Sequence, residues 1–182
     1  MTRVAAGGLQ VNAAAAYASE NPLLVAGVAV ALLALLGAGI WLRRYLSRTP
    51  AERLRRTLTD YDRIAVLMHP NPDPDAMASA LAVNQLVAGT DTSASLLYSG
   101  EIRRPENRAF QTVLDLDFGH VETAEDIDAE AVVLVDHNTA RGFPGAGDIE
   151  PVAVIDHHPG DGTGEAFTDV RSDYGACATI FA

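Results

Sequence analysis

The sequence of 182 residues contains a single cysteine, Cys177, and no lysine among its thirteen basic residues. One cysteine excludes an intramolecular disulfide and a zinc site built on cysteine ligands. A small buried side chain is therefore the role that we expect for Cys177.

Positive charge is scarce in most of the chain. Residues 1–57 carry seven arginines and two acids, a net charge of +5, whereas residues 58–182 carry six arginines and 22 acids, a net charge of −16. A GC-rich genome explains arginine in place of lysine but not the acidity, so the composition favours a protein of a halophilic archaeon, whose acidic surface stays hydrated. The acidic part also lacks the basic stripe of proteins that track long double-stranded DNA, and no such partner is expected.

Charged residues are absent from one long apolar run, residues 23–42. Its length matches the ~20 apolar residues that cross a bilayer, which predicts a transmembrane helix over residues 21–43. A cleaved signal peptide carries its positive charge before a shorter apolar run, but only Arg3 precedes this one. The sequence thus favours a retained anchor with the lipid bilayer as a partner.

Three arginines after this run, Arg43, Arg44 and Arg48, predict its orientation. Because basic residues accumulate on the cytoplasmic side, we expect a single-pass protein of the cell membrane with a cytoplasmic C-terminal part. Residues 1–20 then form an extracellular leader.

A helix start follows the membrane segment. Thr49 is suited to the N-cap, Pro50 to the first helical position and Glu52 to closing a capping box. The pattern predicts a helix within a basic juxtamembrane linker, residues 44–59. Its arginines are explained either by anionic headgroups or by ordinary solvation.

From residue 60 onwards, short apolar runs alternate with helical stretches, which is typical of βαβ units. Strands are predicted at residues 64–68, 93–98, 131–135 and 152–155, and helices at 76–88 and 105–114; residues 115–130 have no clear pattern. The predicted fold class is α/β, a parallel sheet flanked by helices and preceded by one transmembrane helix.

Metal-ligand residues follow three of these strands: His69, Asp136, and the run Asp156-His157-His158. Because functional groups of open α/β sheets gather beyond the carboxyl ends of the strands, we expect them to converge at one edge. Imidazole together with carboxylate suits Mn, Fe or Zn.

Asp73 and Asp75 lie two residues apart in the proline-rich loop after the first strand. Two carboxylates so close raise one pKa unless cations neutralise them, which a pair of metal ions would do. Each element also has a simpler explanation, a turn capped by aspartates or, for Asp136, a polar strand end. The paired histidines His157 and His158 are harder to explain as purely structural residues, because buried imidazoles need hydrogen-bond partners.

Together, the motifs HPNPDPD at residues 69–75, VVLVD ending at Asp136 and DHH at 156–158 resemble motifs I to III of the DHH phosphoesterase superfamily. That group includes exonucleases, nano-RNases, cyclic-dinucleotide phosphodiesterases and manganese-dependent inorganic pyrophosphatases. The resemblance covers residues 60–182, which we interpret as the DHH phosphoesterase domain.

The resemblance implies two bound manganese ions, with Mg²⁺ or another divalent ion as the alternative. The implied ligands are His69, Asp73, Asp75, Asp136 and His157. By the same analogy Asp136 bridges the ions, His158 contacts the scissile phosphate, and Asp156 orients His157, as partners of metal-bound imidazoles usually do.

Substrate contacts are less clear from the sequence. Asn71 is one candidate. His137 and Asn138, next to Asp136, are candidates for contact with phosphate, and solvation of the loop explains them equally well. Three arginines after the second strand could bind phosphate, although a charged helix face is the preferred interpretation. They are Arg103, Arg104 and Arg108.

A fourth motif with a further aspartate ligand, and the DHHA1 domain that follows it, have no counterpart in residues 1–182. We therefore expect a C-terminally incomplete domain that by itself has little or no activity. A homodimer is compatible with this organisation.

The expected function is that of a membrane-anchored, manganese-dependent phosphodiesterase acting on a cyclic dinucleotide or a short oligonucleotide. An inorganic pyrophosphatase and a non-catalytic nucleotide-binding membrane sensor are the alternatives. An aspartyl-phosphate phosphatase is disfavoured, because its first aspartate must follow the strand directly.

Overall fold

The computed structural model describes Ala16, residues 19–46 and residues 48–182. Most of the predicted extracellular leader, residues 1–20, lies outside the described residues. The chain divides into two compact units, Met1–Arg48 and Thr49–Ala182.

The first unit contains the helix α1, Pro22–Leu46. Its large apolar side chains are exposed, among them Leu23, Leu33 and Trp41. The stretch Pro22–Arg43 is long and apolar enough to cross a membrane. A helix of this kind was predicted over the same residues.

The second unit begins with the helix α2, Pro50–Leu58. The predicted capping box is present: the Glu52 N–H donates to Thr49 Oγ1 at 3.2 Å, and the Thr49 N–H donates to Glu52 Oε2 at 3.0 Å. Leu54 and Leu58 are buried in the core of this unit, and Arg55 Nε donates to the Leu86 carbonyl at 2.9 Å. The helix expected in the 44–59 linker therefore packs as part of the globular unit.

A six-stranded parallel sheet forms the centre of the second unit. Its strands are β1 Arg63–Met68, β2 Ser93–Tyr98, β3 Gly119–His120, β4 Ala131–Val135, β5 Ala153–Asp156 and β6 Phe167–Val170. The strand order is β3-β2-β1-β4-β5-β6. The parallel sheet is confirmed, as are the four predicted strands; the short edge strands β3 and β6 were not predicted.

Two further helices connect the strands, α3 Pro74–Val87 and α4 Pro105–Val113. Helix α3 begins two residues before the predicted position, because Asp73 caps it and Pro74 occupies its first turn. Short 3-10 helices follow at Ala124–Asp126, Ala146–Asp148 and Cys177–Phe181.

The sheet is buried on both faces, which is why its central strands are apolar throughout. Ile64, Val66 and Met68 of β1 pack with residues of α2 and α3 in one cluster, whereas Leu67 packs in a second cluster with Leu134. Cys177 is fully buried in the first cluster, as expected from the sequence.

The chain order places a crevice beside β1. From β1 the chain runs outward to β2 and β3, then returns to β4 on the other side of β1. Such a reversal opens a crevice beyond the carboxyl ends of the two strands concerned, here β1 and β4.

Candidate metal centre

The register of the central strands brings three ligand-bearing positions to one level. Met68 pairs with Val135, and Val135 pairs with Ile155. The residues that follow these three, His69, Asp136 and Asp156, therefore leave the sheet side by side. The convergence expected from the sequence is present in the structure.

Asp136 lies at the centre of this edge and is held in an unfavourable state. Its backbone has a φ of 59°, in the left-handed region, and only 2% of the residue is exposed. Its Oδ1 is buried without a hydrogen-bond partner. Left-handed backbone at a non-glycine residue costs about 1–3 kcal/mol, and an unpaired buried carboxylate costs more. A bound cation would offset both costs.

His69 and His157 face Asp136 from opposite sides. The ring Nδ1 of His69 lies 2.9 Å from the Pro70 carbonyl, and that of His157 lies 3.1 Å from the Tyr174 carbonyl. Since a carbonyl only accepts, each Nδ1 carries a proton, and in the neutral ring each Nε2 then presents a lone pair. His69 Nε2 lies 3.5 Å from Asp136 Oδ2, and His157 Nε2 lies 3.2 Å from Asp136 Oδ1. Each carboxylate oxygen thus has one imidazole beside it.

Asp73 completes a first group of ligand atoms with His69 and Asp136, all within 4.8 Å of one another. Its Oδ1 also accepts from the N–H groups of Asp75 and Ala76, at 2.9 and 3.1 Å. The N-cap of α3 therefore fixes the position of this carboxylate.

Asp75 lies on the other side of the centre, with Oδ2 3.6 Å from His157 Nε2. Its two oxygens accept from the N–H groups of Cys177 and Ala178, at 2.7 and 2.8 Å. The carboxylate thus joins the start of α3 to the C-terminal 3-10 helix. Its role as a metal ligand stays a prediction.

A second group of ligand atoms within 4.8 Å consists of Asp136, His157 and His158. His158 Nδ1 lies 3.8 Å from Asp136 Oδ1 and only 2.9 Å from Asp156 Oδ1. His158 thus belongs to this group, and Asp75 lies beside it, 3.6 Å from His157 Nε2. The predicted contact of His158 with phosphate stays a prediction.

Asp156 is fully buried and organises the DHH run. Its Oδ1 accepts from the backbone N–H groups of His157 and His158, at 2.8 and 3.1 Å, and its Oδ2 accepts from Asn138 Nδ2 at 2.9 Å. Asp156 therefore holds the backbone of His157, whereas the Tyr174 carbonyl holds its ring. The Tyr174 contact was not predicted, because a backbone carbonyl 17 residues away has no side-chain signature.

The pKa of His69 reflects the negative charge of the centre. Burial by itself lowers this pKa, but the hydrogen bond to Asp136, the Pro70 carbonyl and the charges of Asp136 and Asp73 outweigh burial and raise it. A site that attracts a proton in this way attracts a metal cation too, and the two compete for the Nε2 lone pair.

The two predicted substrate residues lie in different surroundings. His137 is buried, its Nδ1 donates to the Val135 carbonyl at 2.9 Å, and burial lowers its pKa to about 4. Its ring meets the His69 ring edge-on at 6.4 Å between centroids. Asn71, in contrast, lines a cavity. Both predicted substrate contacts stay predictions.

Two cavities open at this edge of the sheet. The first, of about 440 Å³, is lined by His69, Asp73, Asp75, Asp136, Arg141, His157, His158, Gly175 and Ala176. The second, of about 340 Å³, is lined by His69, Asn71, Asp73, Arg103, Arg104 and Asn107. Sequence reasoning missed Arg141, which follows no strand directly and belongs to none of the three motifs.

The residues present fit a divalent metal. Imidazole nitrogens and carboxylate oxygens form two groups that both include Asp136, whose Oδ1 has no hydrogen-bond partner. Mixed nitrogen and oxygen ligands suit Mn, Fe or Zn. The buried thiol of Cys177 takes no part in this chemistry, since burial raises its pKa to about 12.

A histidine–carboxylate cluster in the switch-point crevice of a parallel sheet defines the class, an α/β domain with a candidate metal centre. The DHH family, N-terminal domain, matches residues 63–182. The chain belongs to the DHH family of phosphoesterases, as its motifs predicted.

Two curated proteins are similar to part of this chain. An uncharacterized protein of Methanocaldococcus jannaschii is 33% identical over 123 residues, which are 64% of this chain and 24% of that protein. A probable manganese-dependent inorganic pyrophosphatase of Bacillus cereus is 35% identical over 105 residues, which are 53% of this chain and 31% of that protein. The chain thus spans about a quarter to a third of these relatives.

Among solved structures, the chain is similar to an exopolyphosphatase-related protein from Bacteroides fragilis. The TM-score is 0.47 and the identity 16%, over 72% of this chain and 41% of that protein.

Proposed function

We propose that the protein is a membrane-anchored, manganese-dependent phosphodiesterase that hydrolyses a cyclic dinucleotide or a short oligonucleotide with the help of two metal ions. The observation that carries this proposal is the Asp136 carboxylate, buried and strained, with His69 Nε2 beside one oxygen and His157 Nε2 beside the other. A carboxylate in that position is suited to bridging two cations.

His69 and Asp73 would hold one ion together with Asp136, and His157 and Asp75 would hold the other. Bound there, the pair would lower the pKa of a water and neutralise charge on the phosphoryl oxygens. The carbonyls of Pro70 and Tyr174 hold the imidazoles in the tautomer that leaves Nε2 free for a cation.

His158 is placed to act on the substrate. Its Nδ1 donates to Asp156 Oδ1, and its side chain lines the 440 Å³ cavity. Asp156 is fully buried, so this hydrogen bond fixes the position of the His158 ring. With Nδ1 engaged in this way, Nε2 is the ring atom that would contact a phosphate oxygen, as a donor when it carries a proton.

Short substrates fit this protein better than long nucleic acids. Residues 58–182 carry a net charge of −16, which opposes attraction along an extended phosphate backbone. Membrane anchoring rests on α1 and on the arginines after it, which favour a cytoplasmic catalytic unit.

Inorganic pyrophosphate is a second candidate substrate. It is favoured by the 35% identity to the probable manganese-dependent inorganic pyrophosphatase of Bacillus cereus. That similarity covers 53% of this chain, and pyrophosphate requires no surface that binds a base.

Turnover by the purified full-length protein in Mn²⁺ tests the proposal and separates the two substrates. We expect hydrolysis of a cyclic dinucleotide and of the linear dinucleotide pApA, with His158→Gln lowering kcat by about 10²- to 10⁴-fold at unchanged Mn²⁺ binding. His120→Gln is the matched control, since this histidine is exposed and belongs to neither ligand group. Hydrolysis of pyrophosphate alone would overturn the assignment to nucleotides.

A further inference from the structure

The second cavity adjoins the first group of candidate metal ligands. It shares His69 and Asp73 with the metal centre, and its remaining walls come from the loop after β2 and the start of α4. We call this 340 Å³ space, lined by His69, Asn71, Asp73, Arg103, Arg104 and Asn107, the arginine cavity.

Hydrogen bonds join the two loops that form its walls. Asn107 is 5% exposed, and its Nδ2 donates to the Pro72 carbonyl at 3.1 Å. The Asn71 N–H donates to the Ser99 carbonyl, and the Glu101 N–H donates to Asn71 Oδ1, each at 3.3 Å. The metal-ligand loop and the loop after β2 are therefore fixed to each other, and the cavity between them has a defined shape.

The three arginines of this region have different roles. The Arg108 guanidinium donates from Nη1 to the carbonyls of Ile102 and Arg103, at 2.9 and 2.6 Å. Arg108 is thus engaged in holding the loop, whereas Arg103 and Arg104 line the cavity. The contact of Arg103 with Glu101, at 3.6 Å between exposed groups, is weak.

The arginines of the acidic stretch, residues 58–182, are concentrated around the two cavities. Of the six arginines in residues 58–182, Arg63 pairs with Asp128 and Arg171 with Asp169. Arg103, Arg104 and Arg141 line the cavities. Residues 58–182, with a net charge of −16, thus place half of their six arginines where an anionic ligand would approach the metal centre.

We propose that the arginine cavity is a second anion subsite, which binds a terminal phosphate of the substrate while the scissile phosphodiester lies at the metal centre. This inference rests on the proposed function, because it takes the metal centre as the place of hydrolysis. Guanidinium groups match phosphate oxygens in paired hydrogen bonds. The subsite therefore selects a dinucleotide with a terminal phosphate, such as pApA, over the same dinucleotide without it, ApA.

Kinetics with these two substrates tests the subsite. In the protein with Mn²⁺, the double variant Arg103→Gln/Arg104→Gln should raise KM for pApA about tenfold and leave KM for ApA within about twofold, since a lost charge-assisted hydrogen bond is worth about one order of magnitude. Arg63→Gln is the matched control, because it removes an exposed arginine at the opposite end of β1. An unchanged KM for pApA, or an equal rise for both substrates, would overturn the proposal.

A binding experiment without turnover distinguishes failure of the subsite from failure of the proposed function. In EDTA, pApA should shift the side-chain NMR signals of Arg103, Arg104 and Asn107, and ApA should leave them unchanged. The same shifts in a protein that hydrolyses neither dinucleotide would retain the subsite and reject the phosphodiesterase. Hydrolysis of pApA without these shifts would retain the phosphodiesterase and reject the subsite.

Discussion

At the scale of single residues, the edge of the sheet that carries the candidate metal ligands buries polar side chains, which is energetically costly. Asp136 is buried with a left-handed backbone, and His137, the next residue, is buried as well. His137 is held by the Val135 carbonyl and lies against the His69 ring. His137 is therefore neutral in the folded protein at pH 7, because burial lowers its pKa.

His137 predicts a pH dependence of stability in the metal-free protein. Burial lowers its folded pKa to about 4 from an unfolded value of 6.5. Between these values the unfolded chain binds more protons, so stability is lost as the pH falls from about 6.5 to about 4. The 2.5-unit difference corresponds to about 3 kcal/mol.

Urea denaturation in EDTA at pH 7 and pH 4 measures this contribution. We expect His137→Asn to be less stable than the wild type at pH 7 but to lose about 3 kcal/mol less between the two pH values. The exposed His120, changed to Asn, is the control. Equal losses in wild type and His137→Asn would show that this histidine is not buried as a neutral group.

The ligand types and their order were predictable at this scale, because carboxylates and imidazoles that follow strands have a recognisable pattern. The strain at Asp136 was not, since φ depends on the way β4 enters its loop. Nor was the position of Arg141, whose loop carries no pattern of its own.

At the scale of elements, the segment after β6 supports the metal centre. Arg171 makes two hydrogen bonds with the Asp169 carboxylate, at 2.8 and 2.9 Å, and donates to the Tyr174 hydroxyl at 2.8 Å. The backbone carbonyl of Tyr174 in turn accepts from His157 Nδ1. The turn between β6 and the last 3-10 helix thus orients a predicted metal ligand.

Arg171→Gln should therefore weaken metal binding, although residue 171 is not one of the predicted metal ligands. We expect a loss of about 10- to 100-fold in Mn²⁺ affinity, as for other partners of ligating histidines, with partial recovery in Arg171→Lys. Calorimetric titration with Mn²⁺ measures the effect, and Arg63→Gln, which removes another arginine–aspartate pair, is the control. Wild-type affinity in a folded Arg171→Gln protein would contradict this role.

Elements with strong local signals were predicted, and the others were not. The capping box of α2 and the apolar strands β1, β4 and β5 were predictable because their signals come from residues that are adjacent in the sequence. Strand β3 has two residues, and β6 is an edge strand with the mixed sequence FTDV. The loop before β6 packs so closely on Asn138 that a Cβ at Gly162 would overlap its backbone carbonyl, a contact that only the folded chain contains.

At the scale of the whole molecule, the sequence separates an apolar, basic N-terminal part from an acidic part that contains the candidate metal centre. The two compact units meet at Thr49 in the chain, and α1 has no acidic residue in its first turn. The predicted halophilic archaeon as source, and the homodimer, stay predictions.

Fractionation of the expressed protein tests the anchor. The protein should sediment with membranes, resist extraction by high salt, and dissolve only in detergent. Removal of residues 1–48 should release the second unit into the soluble fraction, because all core residues in the described part of the chain lie after residue 48. A mature protein whose mass shows cleavage after the apolar run would instead identify a signal peptide.

Metal stoichiometry of the whole protein tests the central claim most directly. Mn²⁺ titration followed by electron paramagnetic resonance should show two ions per wild-type chain with the spin coupling of a bridged pair. Asp136→Asn should abolish the coupling, whereas Asp128→Asn, a change at an exposed acid, should retain it. Uncoupled ions in the wild type, or a coupled pair in a folded Asp136→Asn protein, would contradict a centre bridged by Asp136.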